Sequence, residues 1–260
     1  MMSTIYEPKG RALEYAKRAL NLYTGCPHGC VYCFNRCMPW VDRDKYKAAV
    51  SRTNLAEALE LCCSKLRDKG EIETLPQVHL CFSCDPYPIG IDSTTTRDVL
   101  LVLEKYKVPK VTILTKGGMQ AARDFDILRR NDWSFGSTIG LHSESLRQLY
   151  EPGAARFGDR LNAIMEAKRH GIRTWASIEP VMLADEAVEC IDWTRGFIDL
   201  FKLGRTNHIS SFADDFPEWV EPNWRDYLDR AVKLLEGRRY YIKKDLAISA
   251  GYPTWGRHGY

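Results

Sequence analysis

Short apolar segments rich in β-branched and aromatic residues alternate along the chain with longer segments of helical periodicity. The strand-like segments are 19–24, 77–82, 110–115, 133–140, 172–180 and 197–204. The helical segments are 53–70, 94–106, 119–130, 158–170, 184–195 and 223–237. Six strands that are each followed by a helix predict a parallel sheet with right-handed crossovers. The predicted fold class is therefore α/β, with six βα units in a sheet that is closed or half closed into a barrel.

The ends of these elements and the limits of the domain follow from local signals. Thr53 is the predicted N-cap of the first helix, and Gly70 is its predicted stop. We interpret residues 240–242 as a final strand, and we expect one domain over residues 1–260, with about 205–260 as a C-terminal extension that closes the barrel. In such folds the functional residues lie where strands end and helices begin.

Composition indicates a cytoplasmic globular protein. The 260 residues are 45% hydrophobic and 27% charged, and the charged N-terminus has no apolar core of a signal peptide. We find no apolar run long enough to span a membrane and expect no membrane partner. In a reducing cytosol, nine cysteines do not favour a disulfide framework. The net charge of +3 permits a nucleic-acid partner but does not demand one.

The segment "GCPHGCVYC" (25–33) holds Cys26, Cys30 and Cys33 in a C-x3-C-x2-C pattern after the first predicted strand. A structural zinc site usually takes four ligands from two separated pairs, and a redox C-x-x-C would leave Cys26 without a role. Three thiolates on one loop can hold three corners of a [4Fe–4S] cluster and leave one iron open. A non-catalytic iron–sulfur or zinc protein remains the alternative, and the role of Cys37 stays open.

This motif, with Tyr32 before its last cysteine, resembles that of the radical S-adenosylmethionine (SAM) superfamily. The segments "YEPKGRALEYAKRALNLYTGCPHGCVYC", "SCDPY", "ILTKGGMQAARDFDILRR", "LYEPGAARFGDRLNAIMEAKRHGI" and "SIEPVM" are similar, in order, to the spore photoproduct lyase-like group. They span about residues 6–182. The resemblance implies a (βα)6 partial TIM barrel of the radical SAM type, in which Cys26, Cys30 and Cys33 hold the cluster and SAM binds its open iron. Reductive cleavage of SAM to a 5′-deoxyadenosyl radical would then lead to hydrogen abstraction from the substrate.

Side chains near the carboxyl ends of the predicted strands are candidates for contact with SAM: Tyr32, Asp85, Tyr87, Lys116, Ser137 and Glu179. The resemblance implies that Tyr32 lies near the adenine, that Asp85 and Tyr87 approach the amino group, and that Lys116 pairs with the carboxylate. Each residue also has an ordinary structural role, such as a turn for Asp85 before proline, or a solvent-directed ammonium for Lys116.

Two further cysteines lie at the end of the second predicted strand, Cys81 within it and Cys84 in the adjoining "SCDPY". The spore lyase uses a cysteine on this strand to return a hydrogen atom to its product radical, and the corresponding position here is Phe82. Cys84 shares the strand face of Phe82 and is the candidate catalytic residue, although buried free cysteines are common. The departure at Phe82 leaves an isomerase possible beside a lyase. The role of Cys81 stays open.

Two further segments have structural interpretations. Arg160, in "EPGAARFGDRL", contacts SAM or ties the turn to Glu151, and we favour the tie. Asp124 and Asp126 are expected to be solvated or capping residues of the third helix.

The resemblance and the basic, aromatic segment 237–260 suggest a modified or damaged thymine-type base in DNA as the substrate. That segment would equally suit a tail that packs across the barrel. A radical SAM enzyme acting on a peptide or a small metabolite is the alternative. Either enzyme needs an electron donor such as flavodoxin or ferredoxin.

Overall fold

One mixed sheet forms the centre of the protein. The computed structural model describes residues 4–39, 41–207, 212, 216 and 219–258. Within these residues, eight strands follow one another across the sheet in the order β1-β4-β5-β6-β7-β8-β9-β10. They are β1 (Arg18–Leu20), β4 (Val78–Leu80), β5 (Val111–Thr115), β6 (Ser134–Thr138), β7 (Arg173–Ile178), β8 (Leu200–Leu203), β9 (Tyr240–Ile242) and β10 (Gly256–His258). All neighbouring pairs are parallel except β9 and β10.

Helices connect the parallel strands and cover the outside of the sheet. The α-helices of the described chain are α1 (Arg43–Tyr46), α2 (Leu55–Asp68), α3 (Thr94–Lys105), α4 (Phe125–Arg130), α5 (Glu144–Tyr150), α6 (Phe157–Arg169), α7 (Ala184–Thr194), α8 (Trp224–Leu234) and α9 (Lys244–Ser249). Short 3-10 helices occupy Gly10–Glu14, Phe34–Cys37 and Gly118–Asp124. The predicted α/β class, a (βα)6 partial barrel, is confirmed, and the sheet is open between β1 and β10.

Alternation along the strands separates an apolar outer layer from a more polar barrel interior. On β6, Phe135 faces the helices, and its ring packs edge-on against Phe125 of α4 at 4.9 Å. The preceding residue, Ser134, points to the opposite side of the sheet, into the barrel, and its hydroxyl donates to Thr112 Oγ1 of β5 at 2.9 Å. Burial of the outer apolar face stabilises the crossovers, and the polar interior leads towards the carboxyl ends of the strands.

Several predicted strand and helix boundaries differ from those of the structure. The predicted strand 19–24 is divided: β1 ends at Leu20, and β2 (Tyr23–Thr24) pairs instead with β3 (Val50–Ser51) in a separate antiparallel ribbon. The N-cap of α2 is Asn54, in a left-handed conformation and without a side-chain cap, rather than Thr53. The first half of the predicted helix 119–130 is a 3-10 turn, whereas Gly70 follows α2 as predicted, with φ 69°.

The C-terminal segment is part of the sheet. Residues 240–242 form β9, as predicted, and β10 returns antiparallel to it, an element that was not predicted. The ring of Tyr240 stacks on His258 at 4.9 Å across this pair. The structure therefore favours the packed interpretation of the aromatic tail for these residues, while residues 259 and 260 lie outside the described chain.

Candidate functional site

A cavity of about 470 Å³ opens at the carboxyl ends of the parallel strands. Its wall is built from the cysteine loop, the ends of β4, β5 and β7, and the 3-10 helix Gly10–Glu14. The predicted site residues that line it are Cys26, Cys30, Tyr32, Cys33, Cys84, Asp85, Lys116 and Glu179. Eight side chains assigned from sequence thus meet in one place.

The cysteine loop is shaped by close backbone contacts. Gly25 has φ 86°, and a Cβ there would lie 2.4 Å from the Ala48 carbonyl oxygen. The Cys26 amide donates to the Tyr46 carbonyl at 2.6 Å. Only glycine allows this approach, which turns the chain so that the following thiols face the cavity. Cys37 is exposed and lies outside the cavity wall.

The cysteine loop supplies three thiols to one wall of the cavity. Among the described side chains, no group of three His, Cys, Asp or Glu residues is arranged to hold a single metal ion. Burial raises the pKa of Cys30 to about 12, and it raises the pKa of Cys26 as well. Their thiolates therefore need a bound cation, as metal-ligating cysteines do.

Asp85 ties the end of β4 to the end of β5. Its carboxylate accepts from the Thr115 hydroxyl and from the amides of Lys116 and Tyr87, at 2.9 and 2.8 Å. His28 Nδ1 lies 3.5 Å from the same carboxylate, while His28 Nε2 accepts from the Ile89 amide. The proton of the imidazole therefore sits on Nδ1, and burial lowers the pKa of His28.

Lys116 supplies a partly buried positive charge beside the thiols. Burial alone would lower its pKa, but the Cys30 thiol and the Glu151 carboxylate raise the pKa of Lys116 above its ordinary value. The ammonium also lies 5.6 Å from the centre of the Tyr32 ring. The Tyr32 hydroxyl donates to Glu151, which pairs with Arg160. Arg160 thus forms the tie that we favoured.

At the far side of the cavity, Glu179 is held by three donors that sequence reasoning missed. Arg11 and the Tyr15 hydroxyl each approach its carboxylate at 2.6 Å, and Lys243 does so at 2.5 Å. Burial would raise the pKa of Glu179, but Lys243 and Arg11 hold it below its ordinary value. Only the fold brings these donors to Glu179, because they lie at the two ends of the sequence.

Cys81 and Cys84 form a thiol pair in the cavity wall. Cys81 has φ 67°, and the Tyr23 amide lies 3.5 Å from Cys84 Sγ. Burial opposes the thiolate, but hydrogen bonds from Cys81 and from the Tyr23 amide lower the pKa of Cys84. Phe82, between them, stacks on His79 at 4.4 Å.

Two of the residues predicted to contact SAM, Ser137 and Tyr87, lie outside the cavity wall, and their contact with SAM stays a prediction. Ser137 is on the helix-facing side of β6 with Phe135, and its hydroxyl donates to the Thr115 carbonyl. The neighbouring Thr138 faces the cavity instead. Tyr87 is fully buried, and its hydroxyl donates to Asp124 at 3.1 Å. For Ser137, the alternation of side chains along β6 decides the direction.

Asp124 occupies the N-cap position of α4, but its side chain makes no capping hydrogen bond and is not solvated, unlike the expected solvated or capping side chain. Asp124 is fully buried and pairs with Arg97 and Arg123 at 2.8 and 2.7 Å. Asp126 is exposed, as expected, and pairs with Arg97 and Arg130 at 3.2 and 3.0 Å.

Comparison with known proteins identifies the fold. No family model matches the chain. An uncharacterized protein of Methanocaldococcus jannaschii is 26% identical over 251 residues, which cover 90% of this chain and 89% of that protein. Spore photoproduct lyase, solved as a mutant with bound AdoMet and dinucleoside spore photoproduct, superposes with a TM-score of 0.65 at 14% identity, covering 93% of this chain and 79% of the lyase. The chain has the radical SAM fold.

A second radical SAM protein gives a similar result. Streptococcus suis SuiB bound to S-adenosylmethionine superposes with a TM-score of 0.62 at 14% identity, over 90% of this chain and 52% of SuiB. SuiB has also been solved with its precursor peptide SuiA. The radical SAM barrel of this chain thus spans about half the length of SuiB. No described helix is long and apolar enough to cross a membrane.

Proposed function

We propose that this chain is a radical SAM enzyme in which Cys26, Cys30 and Cys33 hold a [4Fe–4S] cluster and SAM binds in the adjoining cavity. The observation that carries the proposal is the meeting of these three thiols with Lys116 at the carboxyl end of a radical SAM barrel. When bound, the cluster and SAM supply a 5′-deoxyadenosyl radical that abstracts a hydrogen atom from the substrate.

The protein's own residues would bind SAM by charge and shape. The Lys116 ammonium would pair with the SAM carboxylate, and the Tyr32 ring beside it would pack against the adenine. Asp85 has most of its acceptor positions filled by protein donors, so its main task is to hold Lys116 and His28 in place. Glu179, fixed by Arg11 and Lys243, faces the substrate side of the cavity.

The first test is anaerobic reconstitution with iron and sulfide, followed by dithionite and SAM. We expect a cluster spectrum and release of 5′-deoxyadenosine. Cys30→Ala should lose the cluster, and Cys37→Ala, at an exposed position outside the cavity, should keep it. A chain that binds zinc, or a fully loaded cluster that releases no 5′-deoxyadenosine, would refute the proposal. With the natural system, flavodoxin or ferredoxin replaces dithionite as electron donor.

For the substrate we propose a modified or damaged thymine-type base in DNA, converted by a lyase or isomerase reaction. The cavity supports this choice because its described charged side chains include four cations, Lys9, Arg11, Lys116 and Lys243, and two carboxylates, Asp85 and Glu179. Phe34 and Phe82 add flat apolar surfaces to the wall. A planar, anionic substrate suits such a lining.

A peptide substrate is the second candidate, favoured by the likeness to SuiB. Deuterium on the thymine groups of an oligonucleotide distinguishes the two candidates, because the abstracted atom ends in 5′-deoxyadenosine. Label transfer supports DNA as the substrate. Release of unlabelled 5′-deoxyadenosine at an undiminished rate argues for another substrate class.

Cys84 is the proposed hydrogen-atom donor to the product radical, since its thiol lines the cavity. Cys84→Ala should release 5′-deoxyadenosine while losing product. Cys62→Ala, on the outer helix α2, is the matched control and should leave both unchanged. Equal product yields from the Cys84 and Cys62 variants would exclude a donor role for Cys84.

A further inference from the structure

The turn between α5 and α6, Tyr150–Ala155, lies directly against the cysteine loop. The Val31 amide donates to the Tyr150 carbonyl at 3.0 Å, and the Gly153 amide donates to the His28 carbonyl at 2.8 Å. These two bonds lie on either side of Cys30. A Cβ on Gly153 would come within 2.3 Å of the Pro27 carbonyl oxygen, so the contact depends on glycine. The turn thus clamps the backbone that carries the thiols.

The turn is held rigid from behind by Arg147. Its guanidinium donates to the carbonyls of Glu151, Pro152 and Ala154 at 2.9, 3.0 and 3.0 Å. The opposite edge of the guanidinium pairs with Glu144 at 2.9 Å. Three bonds from one planar group fix the path of the turn before any cofactor is bound.

Glu151 links this turn to the aromatic residue of the cysteine motif. It is 2% exposed and accepts from the Tyr32 hydroxyl through one oxygen and from Arg160 through the other. Arg160 also donates to the carbonyls of Ala155 and Thr138, at 2.8 and 3.2 Å. A buried carboxylate with this set of partners has one allowed position, and it imposes that position on the Tyr32 ring.

We infer that Glu151 is a positioning residue, which orients Tyr32 and, through the Tyr150–Ala155 turn, holds the cysteine loop ready for the cofactors. The inference rests on the proposed function for its cofactors, but the positioning is a property of the chain itself. Glu151 lies outside the cavity wall and acts only through Tyr32 and the loop. Residues behind metal ligands commonly have this role, because they fix the orientation of the groups in front of them.

The chain offers a matched control. Tyr87, Asp124 and Arg123 repeat the same combination of tyrosine hydroxyl, buried carboxylate and arginine, with distances of 3.1 and 2.7 Å. None of the three lines the cavity. Asp124→Asn therefore removes a comparable buried charge without touching the cysteine loop, and it reports the purely structural effect of such a change.

The first measurement uses the chain without cofactors. Hydrogen exchange followed by mass spectrometry should show residues 26–33 exchanging about tenfold faster in Glu151→Gln, because a hydrogen bond to a charged group is lost. Asp124→Asn should leave residues 26–33 unchanged. Tyr32→Phe deletes only a hydroxyl and tests the same bond if Glu151→Gln does not fold. Equal exchange in wild type and both variants overturns the inference, as does an equal rise in Asp124→Asn.

The second measurement uses the reconstituted protein. Glu151→Gln should weaken SAM binding by about 10- to 100-fold, the usual effect of removing a residue behind a metal site. Tyr32→Phe should weaken it too, and the double variant should be no weaker than the worse single variant. Unchanged SAM affinity in Glu151→Gln overturns the positioning inference but leaves the proposed function standing. If wild type binds neither iron nor SAM, the proposed function fails, whereas the exchange difference still decides the positioning.

Discussion

His79 gives the protein a defined sensitivity to acid. The imidazole projects from β4 into the barrel, is 1% exposed and stacks on Phe82. Its Nδ1 is buried, with no hydrogen-bond partner among the described residues. Burial, together with the charges of Lys202 and Lys243, lowers the pKa of His79 to about 3. We predict that His79→Phe removes a specific part of the acid-induced loss of stability.

The magnitude follows from the difference in pKa between the folded and unfolded chains. Unfolded histidine titrates near 6.5, so at pH 5 the unfolded chain binds a proton that folded His79 does not bind. The part of the free energy of unfolding that depends on neutral His79 is complete above pH 6.5, and it is lost as the pH falls towards about 3. Between pH 7.5 and pH 5 the loss is about 1.5 pH units at about 1.4 kcal/mol each, or about 2 kcal/mol.

The assay is urea unfolding of the cofactor-free protein at pH 7.5 and pH 5. His79→Phe should lose about 2 kcal/mol less than wild type between these two conditions. His170→Phe, at the exposed C-terminal end of α6, is the control and should follow wild type. Equal losses in wild type and His79→Phe would show that the buried ring accepts a proton in the folded state, and the electrostatic reasoning would be refuted.

Three further changes test the barrel interior and the loop. Burial lowers the pKa of Lys202 from 10.5 to about 7, so the charged side chain costs stability as the pH falls from 10.5 to about 7, and in full below that, despite three neighbouring rings. Lys202→Met should therefore raise the free energy of unfolding at pH 6 by about 2 kcal/mol, and a loss would contradict this. Lys243→Met leaves Glu179 buried with one cation fewer and should cost about 3 kcal/mol in urea unfolding, where no change would exclude a stabilising pair. Gly25→Ala meets the Ala48 carbonyl at 2.4 Å and should abolish iron loading during reconstitution, whereas normal iron content would show that the loop adapts.

The features that local sequence determines were predicted correctly. The alternation of strands and helices gave the parallel barrel, because periodicity reports which faces of each element are buried. The position of Cys26, Cys30 and Cys33 after the first strand placed them at the carboxyl end of the barrel, where they line the cavity. Lys116 followed the same rule at the end of β5.

The features that depend on one-residue alternation or on distant partners were not predictable. Ser137 and Thr138 are adjacent, and only the strand register decides which of them faces the cavity. The partners of Glu179 include Arg11, 168 residues earlier in the chain, and nothing near position 179 signals it. Asp124 looked like a surface residue because Arg97, one of its two arginine partners, reaches it only through the packing of α3 against α4.

The charges of the cavity allow a final distinction between the substrate classes. Near the thiols, the Lys116 ammonium balances the negative charge of the cysteine thiolates. This side of the cavity therefore attracts charged substrates only weakly. On the far side, Lys9, Arg11 and Lys243 face the Glu179 carboxylate, and Arg11 also pairs with Asp245 at 2.5 Å, so the cations exceed the carboxylates by one. A nucleic-acid substrate would release counterions from its phosphates there, so its KM should rise steeply between 50 and 200 mM salt, by about tenfold for each two phosphates contacted. Substituting Lys9 by Met should reduce that slope while leaving SAM affinity unchanged. A KM independent of salt would remove the electrostatic argument for DNA and favour a peptide.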